Sequence, residues 1–432
     1  MIVVLGVAGW LTLIDAPVVI MTDDTVDYEH TMYQIYNHGH FAEYSRAYLY
    51  PLVWGISVYS QMPYFKFMFF LSLLSVIIFA FVLSSAFPLK YLAVFACLFG
   101  LVVIFTKTNM SYLQIYLTES ILLPVIMFSY ITILIGFYKK LNFFLLFVLL
   151  FAFSLLTIQY KAVFNGFTVL ALGLIAYVQI RSRKNKTLSL VYAVLLVSLI
   201  FGFNRLLFKD TFNSDVAKRN QIFFYQHYDF PNHYLPFVER QNNQEMKLLL
   251  TDFNDFIAFF DRFHYIDHAH HVELSKKVLL MTKYFFIADP IFMSKIFAKN
   301  IADGLKFYSW EGQVAIYNLN PKFSFGFKVE RILYLVSLYG FLLLAVFVYG
   351  ANSILKKEIF GTIDRWFTFT LIILMAYLFT VPFLTFSFSS NVPTFDTRIM
   401  YPFVLSVYLC GFMLGAMVLA RLGNDRNIFT RK

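Results

Sequence analysis

The amino-acid sequence predicts an all-α integral membrane protein with about ten transmembrane helices and further helices lying at the outer membrane face. Hydrophobic residues make up 59% of the 432 residues and charged residues only 14%, and the mean hydropathy is +0.67. Soluble domains carry about 25% charged residues, so this composition excludes an ordinary soluble protein. Long apolar runs recur along the chain, and basic residues stand at the ends of alternate runs.

The apolar runs have the length that a bilayer requires, because its hydrocarbon core takes about 20 residues of helix to cross. The first run has no basic segment and no small-residue cleavage site, so we expect a first helix rather than a cleaved signal peptide. The predicted spans are 1–20, 66–87, 91–106, 118–138, 141–158, 162–180, 187–204, 329–353, 366–388 and 399–420.

Basic residues mark alternate turns between these helices, as the positive-inside rule requires of turns that face the cytoplasm. With the N-terminus inside, the short turns on the other side hold little beyond Lys107, Lys161 and Arg398. The net charge of +10 follows from this topology, and the basic residues form no single stripe, so we expect no nucleic-acid partner. The cytoplasmic positions are Lys90, Lys139, Lys140, Arg181, Arg183, Lys184, Lys186, Lys356, Lys357, Arg365, Arg421, Arg426, Arg431 and Lys432.

The spans divide the chain into three parts. Residues 1–204 form an N-terminal transmembrane module with a first outside loop over 21–65, residues 205–328 a large outside loop, and residues 329–432 the C-terminal helices. Within the large loop, Asp289 before Pro290 predicts a helix start, because proline suits the first helical position. Apolar and lysine residues after it fall on separate faces, which predicts a helix lying in the outer interface.

Acidic residues follow the first predicted helix directly, at Asp23, Asp24, Asp27 and Glu29. One interpretation is structural: Asp23 caps a short helix and the other acids favour its positive end. The other is functional: a carboxylate is held at the outer surface as a general base. The local sequence leaves both open.

A second outside turn carries Glu119, in the sequence TES at the start of the fourth predicted helix. An acid beside a membrane helix is costly unless it has partners or water, although an acid at a helix start also has a structural explanation. By the topology, Lys107, Lys161 and Arg398 lie near the same level. Such cations suit a phosphate group, and a carboxylate suits the activation of a hydroxyl.

The first outside loop combines an acidic pair, a tyrosine, a helix that ends in glycine, and an aromatic–proline segment before the next span. Two further motifs lie in later outside turns: an acid in a TES sequence, and Arg-x-x-x-Pro at the start of a late helix. The residues are Asp23, Asp24, Tyr28, Gly39, Tyr50-Pro51-Leu52, Glu119, Arg398 and Pro402. This set resembles the GT-C glycosyltransferases, the superfamily of protein mannosyltransferases and lipid A aminoarabinose transferases. The likeness in motifs covers the N-terminal third of the chain, and the rest of the chain is alike mainly in its architecture.

The resemblance implies a GT-C-like fold and a glycosyltransferase that takes a sugar from a polyprenyl-phosphate donor and inverts it. The acceptor would be a hydroxyl of a lipid-linked glycan or another envelope component, and an O-antigen glucosyltransferase is one kind. Asp24 would act as the base, with Asp23 as its rival. Neither a cofactor nor a metal is implied, because the donor carries a single phosphate. The residues carried over as donor or acceptor contacts are Lys107, Lys161, Arg398, Glu119 and Tyr28.

The Phe- and Lys-rich composition favours a bacterial inner-membrane protein whose site faces the periplasm, with membrane lipids around it. Two alternatives stay open, an O-antigen polymerase and a lipid-linked oligosaccharide flippase or other transporter. A polymerase would not need the acidic pair after the first helix. A transporter usually carries internal repeats and polar mid-membrane helices. We take Asp15, near the outer end of its span, as the main ionisable residue within a span, which favours an enzyme.

The large loop also carries a cluster of possible metal ligands, Asp267, His268, His270 and His271. His268 and His271 are three residues apart and would share a helix face. Histidines in such loops are usually solvated, so we expect no metal site. The two cysteines, Cys97 and Cys410, lie inside apolar runs and provide neither a disulfide framework nor a thiolate metal site.

The topology is testable with reporter fusions. Fusions after Lys186 and after Lys357 are expected to report the cytoplasm, and a fusion near Asn242 the outside, because basic turns stay inside. Alkaline phosphatase and green fluorescent protein fusions measure the two locations. A cytoplasmic signal at Asn242 would remove the predicted site from the outer face.

Overall fold

The computed structural model describes the chain over residues 7, 19–21, 23–39, 47–87, 89–160, 164–181, 186–207, 238–240, 243–249, 251, 284, 287–291, 294, 295, 298, 324–355 and 397–429. In these residues the regular structure is helical, apart from two isolated β-bridges. The helices are α1 (Asp23–His38), α2 (Leu49–Tyr59), α3 (Tyr64–Ala86), α4 (Leu92–Ile104), α5 (Lys107–Tyr112), α6 (Leu122–Tyr138), α7 (Phe143–Ile158), α8 (Asn165–Arg181), α9 (Lys186–Leu207), α10 (Phe327–Leu355) and α11 (Thr397–Phe429), with a 3₁₀ turn (Thr118–Ile121) before α6.

Three helical stretches have both the length and the hydropathy to cross a membrane: Tyr64–Ala86, Thr118–Phe137 and Thr187–Asn204. They coincide with the predicted spans 66–87, 118–138 and 187–204. Shorter apolar helices overlap the predicted spans 91–106, 141–158, 162–180 and 399–420, and another, Leu49–Tyr59, lies in the predicted first outside loop. The predicted span 366–388 and most of 1–20 lie outside the described residues, so the total of ten spans stays a prediction.

Helix α3 lies at the centre of the N-terminal helices and packs against both α4 and α6. Its serines do not expose polar groups to the apolar surroundings, because the Ser72 hydroxyl donates to the Met68 carbonyl at 3.0 Å and the Ser75 hydroxyl to the Ser72 carbonyl at 2.7 Å. Helix α9 carries a contiguous exposed apolar face that includes Val191, Leu195 and Leu199. An apolar face of this kind is what lipid contact requires of a membrane helix.

The C-terminal helices α10 and α11 pack on each other and, through α11, on α6. A Cβ atom on Gly411 would lie 3.0 Å from the carbonyl oxygen of Ser337, so the glycine permits the close approach of α11 to α10. The Tyr130 hydroxyl lies 3.0 Å from the Cys410 sulfur and joins α6 to α11. The two ends of the sequence therefore contribute to one helical bundle.

One end of this bundle, here called the loop end, gathers the starts and ends of many helices. There Tyr64 at the start of α3 contacts Ser120 before α6, and Phe325 before α10 pairs with Phe105 after α4. At the opposite end the Gln179 amide, near the end of α8, donates to the Lys139 carbonyl at 2.7 Å. The basic turn residues Lys139, Lys140 and Arg181 lie at this end, beside that contact.

Helix α1 and its partner α2 cover the loop end. Helix α1 begins at Asp23 and ends before Gly39, whose φ of 63° is left-handed and favours glycine at a helix end, as the sequence predicts. The Tyr36 hydroxyl donates to the Leu52 carbonyl of α2 at 2.8 Å, and the Tyr36 ring lies on Gly55. In the large loop, Pro290 is likewise the first helical residue after Asp289.

Gly55 provides a test of this contact, because a Cβ atom at this position would overlap the Tyr36 ring. We expect Gly55→Ala to lower the free energy of unfolding by about 1–3 kcal/mol, the usual cost of overpacking. Gly173→Ala is the matched control, since nothing lies within 4 Å of a Cβ there and alanine raises helix propensity. Thermal melting in detergent compares the two. Equal melting temperatures would show that α1 does not depend on this contact.

Candidate functional site

The start of α1 is attached to the backbone segment that follows α5. The Ile20 N–H donates to the Gln114 carbonyl at 2.8 Å, the Tyr116 N–H donates to the Ile20 carbonyl at 3.1 Å, and the Thr25 hydroxyl donates to the Tyr116 carbonyl at 3.2 Å. Asp23 and Asp24 lie in the sequence between these two anchor points. Their backbone therefore runs beside residues 114–116, in the first turn of α1.

Glu119 follows this segment by three residues and is 1% exposed. It lies in the 3₁₀ turn before α6, where the Thr118 hydroxyl donates to its carboxylate at 3.1 Å. The structural explanation, an acid at a helix start, accounts for its place along the chain. That explanation does not account for its burial, because a buried carboxylate beside a membrane helix is costly unless it has partners. The backbone of the first loop and that of the second turn, which carry these acids, therefore adjoin each other.

Five aromatic residues pack around this junction. The Trp54 ring lies 4.8 Å from the Tyr116 ring, the Tyr64 ring 4.4 Å from Tyr116, and the Tyr28 ring 5.0 Å edge-on from Tyr50, between ring centroids. Tyr28 is only 4% exposed. Its ring supports the cluster, and its predicted contact with a donor or an acceptor stays a prediction.

A chain of hydroxyls links the cluster to the turn that holds Glu119. The Tyr50 and Tyr64 hydroxyls lie 2.9 Å apart, Tyr64 donates to Ser120 at 2.7 Å, and Ser120 donates to the Leu117 carbonyl at 2.7 Å. Each hydroxyl provides one hydrogen, so the bonds run in one direction, from Tyr50 to the turn. These hydrogen bonds attach the turn that holds Glu119 to α2 and α3.

Tyr116 lies between the cluster and α1. Burial raises the pKa of its phenol, and the carboxylate of Glu29 raises it further. The Tyr116 hydroxyl is therefore neutral over the physiological pH range. Glu29, one turn after Thr25, adds negative charge on this side of α1.

Lys107 is the first residue of α5 and is half-buried. Its ammonium lies 4.6 Å above the centre of the Phe327 ring, which provides a cation–π contact. In the part of the chain that the structure describes, no carboxylate lies within ion-pair distance of this ammonium. Among the described residues, its three N–H groups therefore have no carboxylate partner, and they can bind an anion.

The other two predicted cations are less fully described. Arg398 lies in the first turn of α11, where Tyr401 packs on Tyr112 at 5.4 Å between ring centroids, so its backbone begins beside α5. The side chain of Arg398 and the whole of Lys161 lie outside what the structure describes. The nearby Gln159 carbonyl accepts the Leu49 N–H at 3.0 Å, which attaches the end of α7 to the start of α2.

Glu330 is a buried acid that the sequence analysis did not single out. It lies in the first turn of α10, is 0% exposed, and accepts the Thr108 N–H at 3.1 Å. The signal was present, because Glu330 falls inside the predicted span 329–353, where acids are rare. The view of Asp15 as the main ionisable residue within a span therefore needs correction: Glu330 also lies within one, near its start.

A metal centre finds no support in the described residues, where no group of three or more histidine, cysteine, aspartate or glutamate side chains comes together. Asp267, His268, His270 and His271 lie outside them. The described loop end instead joins two buried acids and one available cation with a cluster of tyrosines. Such groups suit the binding of a hydroxylated, anionic molecule and proton transfer from a hydroxyl.

The chain was also compared with known proteins. No protein-family model matches it, and neither a curated protein nor a solved structure does.

Proposed function

We propose that the protein is a membrane glycosyltransferase that moves a sugar from a polyprenyl-phosphate donor to an acceptor hydroxyl, with inversion. The acceptor is a lipid-linked glycan or another cell-envelope hydroxyl, and the site faces the periplasm of a bacterial inner membrane. The three membrane-length helices are compatible with such a protein. The resemblance of the first loop to GT-C enzymes supplies the reaction, and the arrangement of the loop end supports it.

One observation carries the proposal: the start of α1 is hydrogen-bonded to the segment that leads into Glu119. Thr25, the residue after Asp24, donates to the Tyr116 carbonyl, three residues before the buried acid. A general base and a second acid that orients the hydroxyls of the same substrate must lie close together, and this hydrogen bond brings the backbone of Asp24 near that of Glu119. A structural role for either acid by itself would not require the start of α1 to bind the segment before Glu119.

In the proposed reaction, the carboxylate of Asp24 takes the proton of the acceptor hydroxyl. The hydroxyl oxygen attacks the anomeric carbon, the bond from that carbon to the phosphate oxygen breaks, and the lipid phosphate leaves with the bonding electrons. Cations around the phosphate stabilise its developing charge. Lys107, Lys161 and Arg398 take this role, while Glu119 orients donor or acceptor hydroxyls.

A transporter is the second candidate, and Glu330 is the observation that favours it, because buried acids within membrane helices often line ion pathways. An O-antigen polymerase has no comparable observation. The enzyme is preferred because Glu330 lies in the first turn of its helix, at the loop end, with the other candidate residues.

The base is tested by removing charge while keeping shape. We expect Asp24→Asn to lower sugar transfer by about 100-fold or more, since a positioned general base contributes roughly 10²–10⁴-fold. Asp24 lies in the first turn of α1, where one negative charge stabilises a helix only slightly, so the melting temperature is expected to fall little. Asp23→Asn and Glu119→Gln, measured in the same membranes, rank the rival acids.

Glu245→Gln is the matched control, because it removes one carboxylate from an exposed residue in the large loop. It is expected to transfer sugar at the normal rate. If the double variant, Asp23→Asn with Asp24→Asn, stays active, the acidic pair has only a structural role at the start of α1. The polymerase and transporter would then become the leading candidates.

The phosphate contacts are tested separately. Lys107→Ala, Lys161→Ala and Arg398→Ala are each expected to raise the KM for the polyprenyl-phosphate sugar by about tenfold to 100-fold, the value of one hydrogen bond to a charged group. Lys140→Ala, at the opposite end of the bundle, is the control. If all three variants keep the normal KM, the donor phosphate binds elsewhere.

A further inference from the structure

The start of α10 is joined to the start of α5 by three separate contacts, all within two residues of Lys107. We propose that Phe327 and Glu330 are positioning residues that hold Lys107 in place for the donor phosphate, an inference that rests on the proposed function. Neither residue touches the donor. They act through the backbone and the ammonium of Lys107.

The first contact is between backbones. The Phe325 N–H donates to the Phe105 carbonyl at 2.8 Å, and Phe325 forms a parallel bridge with Thr106. The pairing joins Thr106, directly before Lys107, to Phe325, two residues before α10. Lys107 therefore cannot shift without the start of α10.

The second contact is the Glu330 carboxylate, which accepts the Thr108 N–H at 3.1 Å. The first N–H groups of a helix have no partner within it, so this bond satisfies a group that α5 leaves open. The two residues are 222 positions apart in the sequence. The bond fixes the residue directly after Lys107.

The third contact is the Phe327 ring beneath the ammonium, at 4.6 Å. Phe327 and Glu330 are three residues apart on one helix, so they lie on the same face and reach α5 together. The ring attracts the cation without using its N–H groups. The ammonium is held in direction and remains able to bind an anion.

The carboxyl group of Glu330 fits the same purpose. Its second oxygen has no hydrogen-bond partner among the described residues, and the charge of Lys107 acts on it favourably. The two groups nevertheless do not form an ion pair, which would occupy the lysine. The backbone of Lys107 and the phenols of Tyr401 and Tyr408, from α11, also interact with this carboxyl group.

Steady-state kinetics of the full-length protein in detergent, with a polyprenyl-phosphate sugar, tests the proposal. Phe327→Leu and Glu330→Leu are expected to raise the donor KM by about tenfold or more, because small displacements of a binding group are costly. The acceptor KM should stay within about twofold, the spread of unrelated sites, whereas kcat is expected to fall as well, because Lys107 also stabilises the developing charge of the phosphate. Weaker acceptor binding together with a lower melting temperature would indicate a merely structural role and overturn the proposal.

Conservative variants and a matched control sharpen the result. Phe327→Tyr keeps an aromatic ring, and Glu330→Gln keeps an oxygen that accepts the Thr108 N–H, so both should restore a donor KM within about twofold of normal. Lys328→Ala changes an exposed neighbour in the same turn and should have no effect. Failure of both conservative variants to restore donor binding would contradict the proposal.

A double-variant cycle separates this inference from the proposed function. Lys107→Ala combined with Phe327→Leu should raise the donor KM no further than Lys107→Ala alone, whereas independent roles would multiply the two effects. A normal donor KM in Lys107→Ala would remove the phosphate role of Lys107 itself. A raised KM in Lys107→Ala with normal values in both leucine variants would overturn the positioning role only.

Discussion

The loop end depends on one constraint: backbone polar groups outside regular helices must find partners in the protein when water is scarce. The segment between α4 and α6 has carbonyl groups that no helix satisfies. Distant parts of the chain donate to them, namely Phe325 to Phe105, Ile20 to Gln114 and Thr25 to Tyr116. Leaving such a group unpaired costs about 1–3 kcal/mol, so these contacts bear on stability as well as on position.

The same partners carry the candidate functional residues into place. Ile20 and Thr25 flank Asp23 and Asp24 in the sequence, and Phe325 precedes the α10 turn that holds Glu330. The hydrogen bonds to the carbonyl groups between α4 and α6 therefore bring both the first loop and the start of α10 to this segment. A stability requirement and a site geometry are met by the same hydrogen bonds, and neither calls for a separate set of contacts.

Local sequence patterns predicted what depends on local chemistry. The apolar runs located the helices, Gly39 the end of α1, and Pro290 a helix start, because each reflects the conformational preference of one residue or one short run. The six-residue α5 was missed, since KTNMSY has neither the length nor the periodicity of a helix. The role of Glu330 was also missed, because it depends on a bond across 222 residues. The approach of α1 to the Glu119 segment likewise depends on long-range pairing that no local pattern encodes.

The two buried acids call for different explanations. Glu119 begins a helix and accepts a bond from its own neighbour, so local structure accounts for part of its presence. Glu330 accepts one N–H from another helix and leaves one oxygen without a hydrogen bond among the described residues. Replacing a buried charge together with its partner by apolar side chains is often neutral or stabilising, whereas a leucine at position 330 alone would leave the Thr108 N–H without its acceptor. A leucine would provide no acceptor for Thr108 beside Lys107, whose ammonium has no ion-pair partner among the described residues, and holding Lys107 in place accounts for both contacts at the start of α10.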